Sequence, residues 1–155
     1  MGIEKDIQQQ TFRNEFQKAT VNIIFSANWL HEKINVFLEE EDITQQQYNI
    51  MRILRGSQKP LSTLQIRERM LDRMSDTSRI VERMLKKGLV EKNICHTDKR
   101  LVDVILTKEG YAVLGKLDKK NTELDNILQH LTAEEAETIS RLLDKMRDHH
   151  TPPAM

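Results

Sequence analysis

Apolar residues recur at steps of three and four along the first part of the chain, which is the spacing of one face of an α-helix. The pattern begins near Thr11, ends at Phe37 and predicts one long amphipathic helix. The acidic run 39–42 closes this helix. A Thr-x-x-Gln sequence that begins at Thr44 has the form of a capping box, so it predicts a second helix that ends at Gly56.

The middle of the chain predicts two short helices followed by a β-hairpin. A second capping box begins a helix over 63–71, and the next helix runs from about Ser75 to Gly88. Beyond that glycine the helical period gives way to two short β-type runs, 89–94 and 101–106, on either side of a polar tip. We predict that these two runs are the only strands.

The last part of the chain again shows helical spacing. Thr107 is expected to cap a long helix whose leucines follow the alternating steps of a coiled-coil seam up to Leu131. Asn121 interrupts that seam, where it either fixes the register of a partner helix or is exposed by a local turn of the helix. A third capping box, at Thr132, opens a final helix, and residues 151–155 are expected to fray. The apolar residues expected to face inward on the final helix are Ile139, Leu142, Leu143 and Met146.

Composition narrows the class of protein. The chain has 155 residues, of which 38% are hydrophobic and 31% charged, with only five Gly and three Pro, so we expect one soluble, helix-rich domain with extensions. The chain has no apolar run near the roughly 20 residues of a membrane span and no pattern of a secretion signal at its start, so we expect no membrane contact and a cytoplasmic location. Cys95 is the single cysteine, which excludes an internal disulfide. Catalytic glycine-rich loops and nucleophile elbows are absent, so we expect no enzyme activity, no cofactor and no metal.

Charge is segregated along the sequence although the whole chain is neutral, with 24 basic and 24 acidic side chains. Residues 51–100 contain 13 basic and 6 acidic side chains, a net charge of +7 that the remaining residues balance. This distribution predicts a basic middle that faces a polyanion and acidic flanks that do not. A chance imbalance on a solvated surface is the alternative.

The helix predicted from Ser75 divides into two faces when its residues are placed at 100° intervals. One face is apolar and carries Ile80, Val81, Met84 and Leu85, with Thr77 beside them. The other carries Ser75, Arg79, Glu82, Arg83 and Lys86, flanked by Asp76 and Ser78. Short hydrogen-bonding groups suit base edges and arginines suit guanine or phosphate, so this face predicts DNA recognition unless it is an ordinary solvated helix face.

The order short helix, tight connection, helix and β-hairpin is that of a winged helix-turn-helix. Residues 62–110 resemble the MarR (multiple antibiotic resistance regulator) family. The most specific match is Asp98-Lys99-Arg100 followed by Leu-Thr-Lys-Glu-Gly at 106–110, which resembles the wing signature and the start of the dimerisation helix in that family. Segments 77–84 and 87–92 resemble its recognition helix and the exit from that helix.

The fold expected from the pattern and the resemblance is mainly α with a small β-hairpin. It is a winged helix-turn-helix with N- and C-terminal dimerisation helices. Residues 1–43 form the N-terminal dimerisation helix, 44–106 the DNA-binding domain, 107–150 the C-terminal dimerisation helices and 151–155 a disordered tail. The apolar faces of the flanking helices are longer than one small domain covers, which also favours a homodimer.

The resemblance implies roles for individual residues. The start of the recognition helix reads the major groove in similar proteins, Arg100 matches the arginine that enters the minor groove, and Asp98 matches an acidic residue that orients basic side chains. Lys92 stands where the family often has arginine, so a bidentate contact is in question there. The expected DNA contacts are Ser75, Asp76, Thr77, Ser78, Arg79, Arg83 and Lys86 on the helix and Lys92, His96, Asp98, Lys99 and Arg100 on the wing.

The function implied by the resemblance is a homodimeric repressor that binds a pseudo-palindromic operator in double-stranded DNA and is released by a small effector. Effector pockets in similar proteins lie between the dimer helices and the DNA-binding domain and often take lipophilic or phenolic molecules. Trp29, His31 and Tyr48 are the amphipathic side chains nearest that region in sequence, unless they pack in the core or an interface. The alternative function is a winged-helix protein-interaction module that binds an acidic partner.

Overall fold

The computed structural model describes residues 2–94 and 102–148. The helices in these ranges are α1 (Ile3–Asp6), α2 (Glu15–Leu38), α3 (Gln45–Ser57), α4 (Thr63–Arg69), α5 (Thr77–Lys86), α6 (Lys108–Asp118), α7 (Asn121–Asp125) and α8 (Ala133–Arg147), with 3-10 turns at Glu39–Glu41 and Asn126–Leu128. The strands are β1 (Leu61–Ser62), β2 (Val90–Ile94) and β3 (Val102–Leu106). The predicted fold class, mainly α with a small antiparallel β component, is confirmed.

Some sequence predictions fall outside the described residues. The tail 151–155 is one of these. The others concern the tip of the predicted hairpin, which contains Cys95, His96, Asp98, Lys99 and Arg100.

Capping boxes begin three helices, as the sequence predicts. At α3 the hydroxyl of Thr44 accepts a hydrogen bond from the backbone N–H of Gln47, and the side-chain oxygen of Gln47 accepts one from the backbone N–H of Thr44, both at 3.1 Å. The same pair of bonds begins α4 at Ser62 and α8 at Thr132. Each box satisfies two backbone N–H groups at a helix start, where the first turn has no partners of its own.

The end of α3 differs from the prediction. The helix continues through Gly56 to Ser57, and the left-handed residue that follows it is Gln58, with φ of 55°. The hydroxyl of Ser57 lies 3.0 Å from the carbonyl oxygen of Leu54 and 2.7 Å from that of Lys59, so this side chain links the last turn of the helix to the residues that follow it. Gly88, in contrast, has φ of 74° directly after α5 and ends that helix as predicted.

The hairpin strands are not alone, because β1 adds a third strand. β3 lies in the centre of the sheet, where Leu61 of β1 is opposite Val104 and Val90 of β2 is opposite Leu106. Leu61 and Val104 are both fully buried. The prediction of only two strands is therefore wrong, since two residues are too few to show an alternating pattern in the sequence.

One apolar core joins the end of α2, helices α3 to α6 and the sheet. Its side chains interdigitate across elements that are distant in sequence, which is the usual way a small domain buries enough apolar area. The largest fully buried side chains are Leu38, Ile50, Met51, Leu61, Ile66, Val81, Met84, Val104, Leu114 and Leu117.

The predicted long helix with a leucine seam is wrong, because it breaks into α6, α7 and a 3-10 turn. α6 ends at Asp118, and the backbone N–H of Lys120 bonds the carbonyl of Leu117 at 2.9 Å, which tightens the last turn. Leu117 packs in the core of its own chain rather than on a seam. Asn121 is the first residue of α7 and is exposed, which favours the second of its two interpretations.

Apolar side chains remain exposed on α2 and α8. On α8, the residues expected to face inward include Ile139, Leu142 and Met146, which are 44%, 50% and 57% exposed, so that expectation is wrong for the single chain. None of the other described elements covers this face of α8. The exposed apolar residues of α2 are Phe16, Ile23, Ile24, Phe25, Trp29 and Val36.

Within the described ranges, no helix is both long and apolar enough to cross a bilayer.

We expect Gly110→Ala to lower the free energy of unfolding by about 2 kcal/mol, because overpacking a well-filled site costs roughly this much. A Cβ at Gly110 would lie 2.4 Å from the backbone carbonyl oxygen of Leu89, which cannot move as a flexible side chain can. Urea unfolding monitored by circular dichroism measures the effect. The control is Gly115→Ala in the same helix, where nothing lies within 4 Å and the helix should gain up to about 1 kcal/mol. Equal effects of the two changes would contradict the packing at Gly110.

Candidate DNA-binding surface

The residues of α5 divide into the two predicted faces. Asp76 caps the helix, since its Oδ1 accepts a hydrogen bond from the backbone N–H of Arg79 at 3.2 Å. Thr77, Val81 and Met84 are no more than 3% exposed and pack in the core. This buried face orients the helix, because each of its residues is three or four positions from the next.

The opposite face of α5 is polar and exposed. The guanidinium Nε of Arg79 lies 3.7 Å from Oδ2 of Asp76. The side chains of Arg83 and Lys86 are exposed and form no hydrogen bond or ion pair with another side chain in the described ranges, so their charges are available to an external anion. The exposed residues of this face are Asp76, Ser78, Arg79, Glu82, Arg83 and Lys86.

Two predicted DNA contacts turn toward the interior instead. Thr77 is 3% exposed, and its hydroxyl has no hydrogen-bond partner among the described residues. The position of Thr77 one turn before Val81 places it on the core face, which removes it from a base-reading surface. Ser75 is partly exposed, but its hydroxyl oxygen is buried and likewise has no partner within 2–94 and 102–148.

Lys92, a predicted wing contact, pairs with α5. It lies on β2 opposite Val104 of β3, and its ammonium group bonds the carboxylate of Glu82. The pair ties the base of the wing to the exposed face of α5 and partly neutralises Lys92. The other predicted wing contacts are outside the described residues.

Lys87 fastens the end of α5 and was missed by the sequence analysis. Its ammonium group contacts the backbone carbonyl of Asp42 and lies 3.4 Å from Oε1 of Gln47, a side chain that is 5% exposed. The carboxylate of Asp42 is 4.0 Å away. The acidic run 39–42 was the feature of the sequence that could have indicated this contact, because such a run attracts lysines from other parts of the chain.

A cavity of about 680 Å³ opens between α2, α3, α7 and the residues that follow α4. Two of the residues considered for an effector pocket, His31 and Tyr48, line this cavity. Trp29 does not line it and is 40% exposed, with the ammonium of Lys33 5.8 Å from its ring centroid. Trp29 therefore lies away from this cavity.

The cavity wall offers polar groups on an apolar base. Nδ1 of His31 lies 2.7 Å from Oε1 of Gln45, whose amide nitrogen donates to Oδ1 of Asn35 at 2.8 Å. The guanidinium of Arg52 lies 5.6 Å from the ring centroid of Tyr48. Ile34, Met70 and Leu124 supply the apolar lining. The sequence did not indicate Gln45, Asn49 or Arg52 as cavity residues, because the capping box and helical period of α3 show where the helix runs and not which residues face a cavity.

Comparison with known proteins identifies the family. The chain is 31% identical over 123 residues to the transcriptional regulator HosA of Escherichia coli O127:H6, an alignment that covers 78% of this chain and 84% of HosA. The MarR family profile matches residues 43–102. The chain belongs to the MarR family. It is a MarR-family transcriptional regulator with a DNA-binding winged helix.

Solved structures of other MarR-family regulators have the same fold. A cysteine-to-serine mutant of MarR from Escherichia coli, complexed with operator DNA, is 24% identical with a TM-score of 0.78, and the match covers 90% of this chain and 100% of MarR. An organohalide-sensing regulator in its 2,4-dichlorophenol-bound form is 20% identical with a TM-score of 0.80, over 92% of this chain and 87% of that one. At these identities the likeness shows the fold alone.

We expect Arg83→Ala to weaken binding to a random-sequence duplex and to reduce the slope of log K against log salt by about 1, because one phosphate contact is lost. Fluorescence anisotropy titrations at several salt concentrations measure both quantities. Arg13→Ala is the control, since Arg13 is exposed and precedes α2, outside the segment 44–106 that is expected to bind DNA. An unchanged slope in the Arg83 variant would show that this arginine does not face DNA.

Proposed function

We propose that the protein is a homodimeric repressor that binds a pseudo-palindromic operator and is released by a small effector. The observation that carries the proposal is the polar, exposed face of α5 above a buried apolar face. Arginine and lysine on that face suit phosphates and guanine, and Asp76 and Ser78 suit base edges at the helix start. The role places the protein in the cytoplasm, where the operator is.

Two apolar surfaces support the dimer. Those on α2 and α8 expose aromatic and aliphatic side chains such as Phe16, which is 83% exposed, and Leu142, which is 50% exposed. Exposed apolar patches of this kind are features of protein interfaces. If residues 1–43 and 107–150 of two chains pack together about a two-fold axis, the apolar surfaces on α2 and α8 are buried. The two copies of 44–106 then lie side by side. Two recognition helices then read half-sites about one turn of DNA apart.

The wing contacts in this proposal are Lys92, His96, Asp98, Lys99 and Arg100. Lys92 is the one of these within the described residues, and its pairing with Glu82 leaves it a supporting role near the phosphate backbone. The proposal assigns the minor groove to Arg100, on the strength of the family wing signature. One recognition helix with one wing contacts few base pairs, so the doubled site is needed for specificity.

The cavity between α2, α3 and α7 is the proposed effector site. Its polar wall contains His31 and Arg52, and its base is apolar, which suits a small lipophilic or phenolic molecule that carries a hydrogen-bonding or anionic group. A related regulator binds 2,4-dichlorophenol. An effector releases the operator if it binds better to the conformation that does not fit DNA.

We expect selection from a random DNA library at about 150 mM salt to recover an inverted repeat, because non-specific phosphate binding is weakened there and two-fold symmetry favours repeated half-sites. Sequencing of the bound fraction is the measurement. Recovery of a single half-site without a repeat would contradict the dimer. Failure of folded protein to enrich any sequence would contradict operator recognition and favour the alternative, a winged-helix module that binds an acidic protein.

We expect Leu142→Glu to shift the protein toward monomers, because a carboxylate on the apolar face of α8 must be desolvated in the interface. Sedimentation equilibrium measures the association constant, which should fall by at least tenfold. Ser140→Glu is the control, since it adds the same charge to an exposed polar position of the same helix. Equal association constants for the two variants would contradict an interface on this face.

A further inference from the structure

The segment 70–76, here called the connection, joins α4 to the recognition helix α5. Its first residue, Met70, is 4% exposed and is anchored in the core, but the next four side chains are exposed, with Leu71 at 86% and Met74 at 93%. Packing therefore does not fix the middle of the connection. Its position depends on hydrogen bonds.

Local hydrogen bonds within the connection shape it without fastening it to the domain. The backbone N–H of Met74 donates to Oδ1 of Asp72 at 3.0 Å, and that of Ser75 donates to the carbonyl of Asp72 at 3.3 Å. Both bonds join residues two or three positions apart. They define a turn whose bonds are all local.

A single bond in the described ranges joins the connection to an element beyond α4 and α5. The backbone N–H of Leu71 donates to the side-chain Oδ1 of Asn49 in α3 at 2.9 Å, across 22 positions of sequence. Asn49 is partly buried on a helix that also supplies Ile50 and Met51 to the core, so its backbone is well held. The amide of Asn49 thus fixes the place at which the chain departs toward the recognition helix.

We propose that Asn49 is a positioning residue for operator recognition and acts through the backbone of Leu71. Without this bond, the connection samples more orientations up to the buried Thr77. The side chain of Asp76, which caps α5 at the end of the connection, then meets base edges less well. Contacts to phosphates tolerate such variation better, because long basic side chains adapt to it. Loss of the bond therefore weakens operator binding more than binding to random DNA.

Asn49 also lines the cavity, and its amide nitrogen bonds no atom within the described residues. The same side chain thus touches the connection through its oxygen and faces the proposed effector site. This inference rests on the proposed operator recognition, so its test needs a readout that does not involve DNA.

Asn49→Leu removes the acceptor, while Asn49→Asp keeps an oxygen at the same place. Residue-resolved amide hydrogen exchange by NMR should show the Leu71 N–H exchanging about tenfold faster in Asn49→Leu, with Met70 as an internal reference because its N–H bonds Arg67 instead. In Asn49→Asp, the Leu71 N–H should exchange as in the parent protein. Unchanged exchange at Leu71 in Asn49→Leu would overturn the proposal.

The DNA readout compares affinity for the selected operator with affinity for random DNA. Operator binding by Asn49→Leu should be about fivefold to tenfold weaker, as expected for one lost hydrogen bond, with random-DNA binding within about twofold of the parent. Gln46 is the matched control position, because it is an exposed amide on the same helix and the same cavity wall. Gln46→Leu controls for the lost amide and Gln46→Glu for the charge added by Asn49→Asp.

Equal losses on operator and random DNA would overturn the proposal, as would Asn49→Asp binding the operator several-fold more weakly than Gln46→Glu. If Asn49→Leu fails to fold, Asn49→Asp decides, since fast exchange at Leu71 in that variant also overturns the proposal. If the parent protein selects no operator, the proposed function fails, and exchange at Leu71 still shows whether Asn49 holds the connection.

Discussion

Burial of one face of α5 is the interaction on which the rest of the structure depends. An isolated helix of ten residues is only marginally stable in water, so α5 needs the packing of Thr77, Val81 and Met84 against the core. The same packing determines which side chains stay outside, because a rotation by one residue, 100°, would bury a charged group without a partner. The polar face of α5 is therefore a consequence of how the core is filled.

Features that depend on a few neighbouring residues could be predicted from the sequence. A capping box joins residues three apart, and the faces of α5 repeat within two turns, so the helix starts at Thr44, Ser62 and Thr132 and the polar face of α5 follow from local rules. Features that depend on distant partners could not. β1 exists because Leu61 meets Val104, 43 positions later, and two residues carry no pattern of their own.

A helical spacing of apolar residues predicts that one face of the helix is buried, but it does not predict which surface buries that face. Leu114 and Leu117 have the spacing of a coiled-coil seam, yet they pack in the core of their own chain, whereas Leu142 of α8 has similar spacing and stays exposed. The charge pattern has the same ambiguity. The acidic run 39–42 meets lysines of its own chain, and the bond from Lys120 lowers the pKa of the Glu40 carboxyl and raises that of the Lys120 ammonium. Exposed pairs of this kind orient elements more than they stabilise them.

The two parts of the candidate site differ in how they are built, and this explains why the polar face of α5 could be predicted almost whole and the cavity only at His31 and Tyr48. The polar face of α5 comes from one continuous helix, so its residues share a period. The cavity wall combines α2, α3, the connection and Leu124, which share none. Asn49 lines the cavity and also accepts the hydrogen bond from Leu71 in the connection. Helix α3 therefore bears on the chain that leads to α5 through this bond as well as through the core that the two helices share. Such a bond is visible only after the helices are folded together.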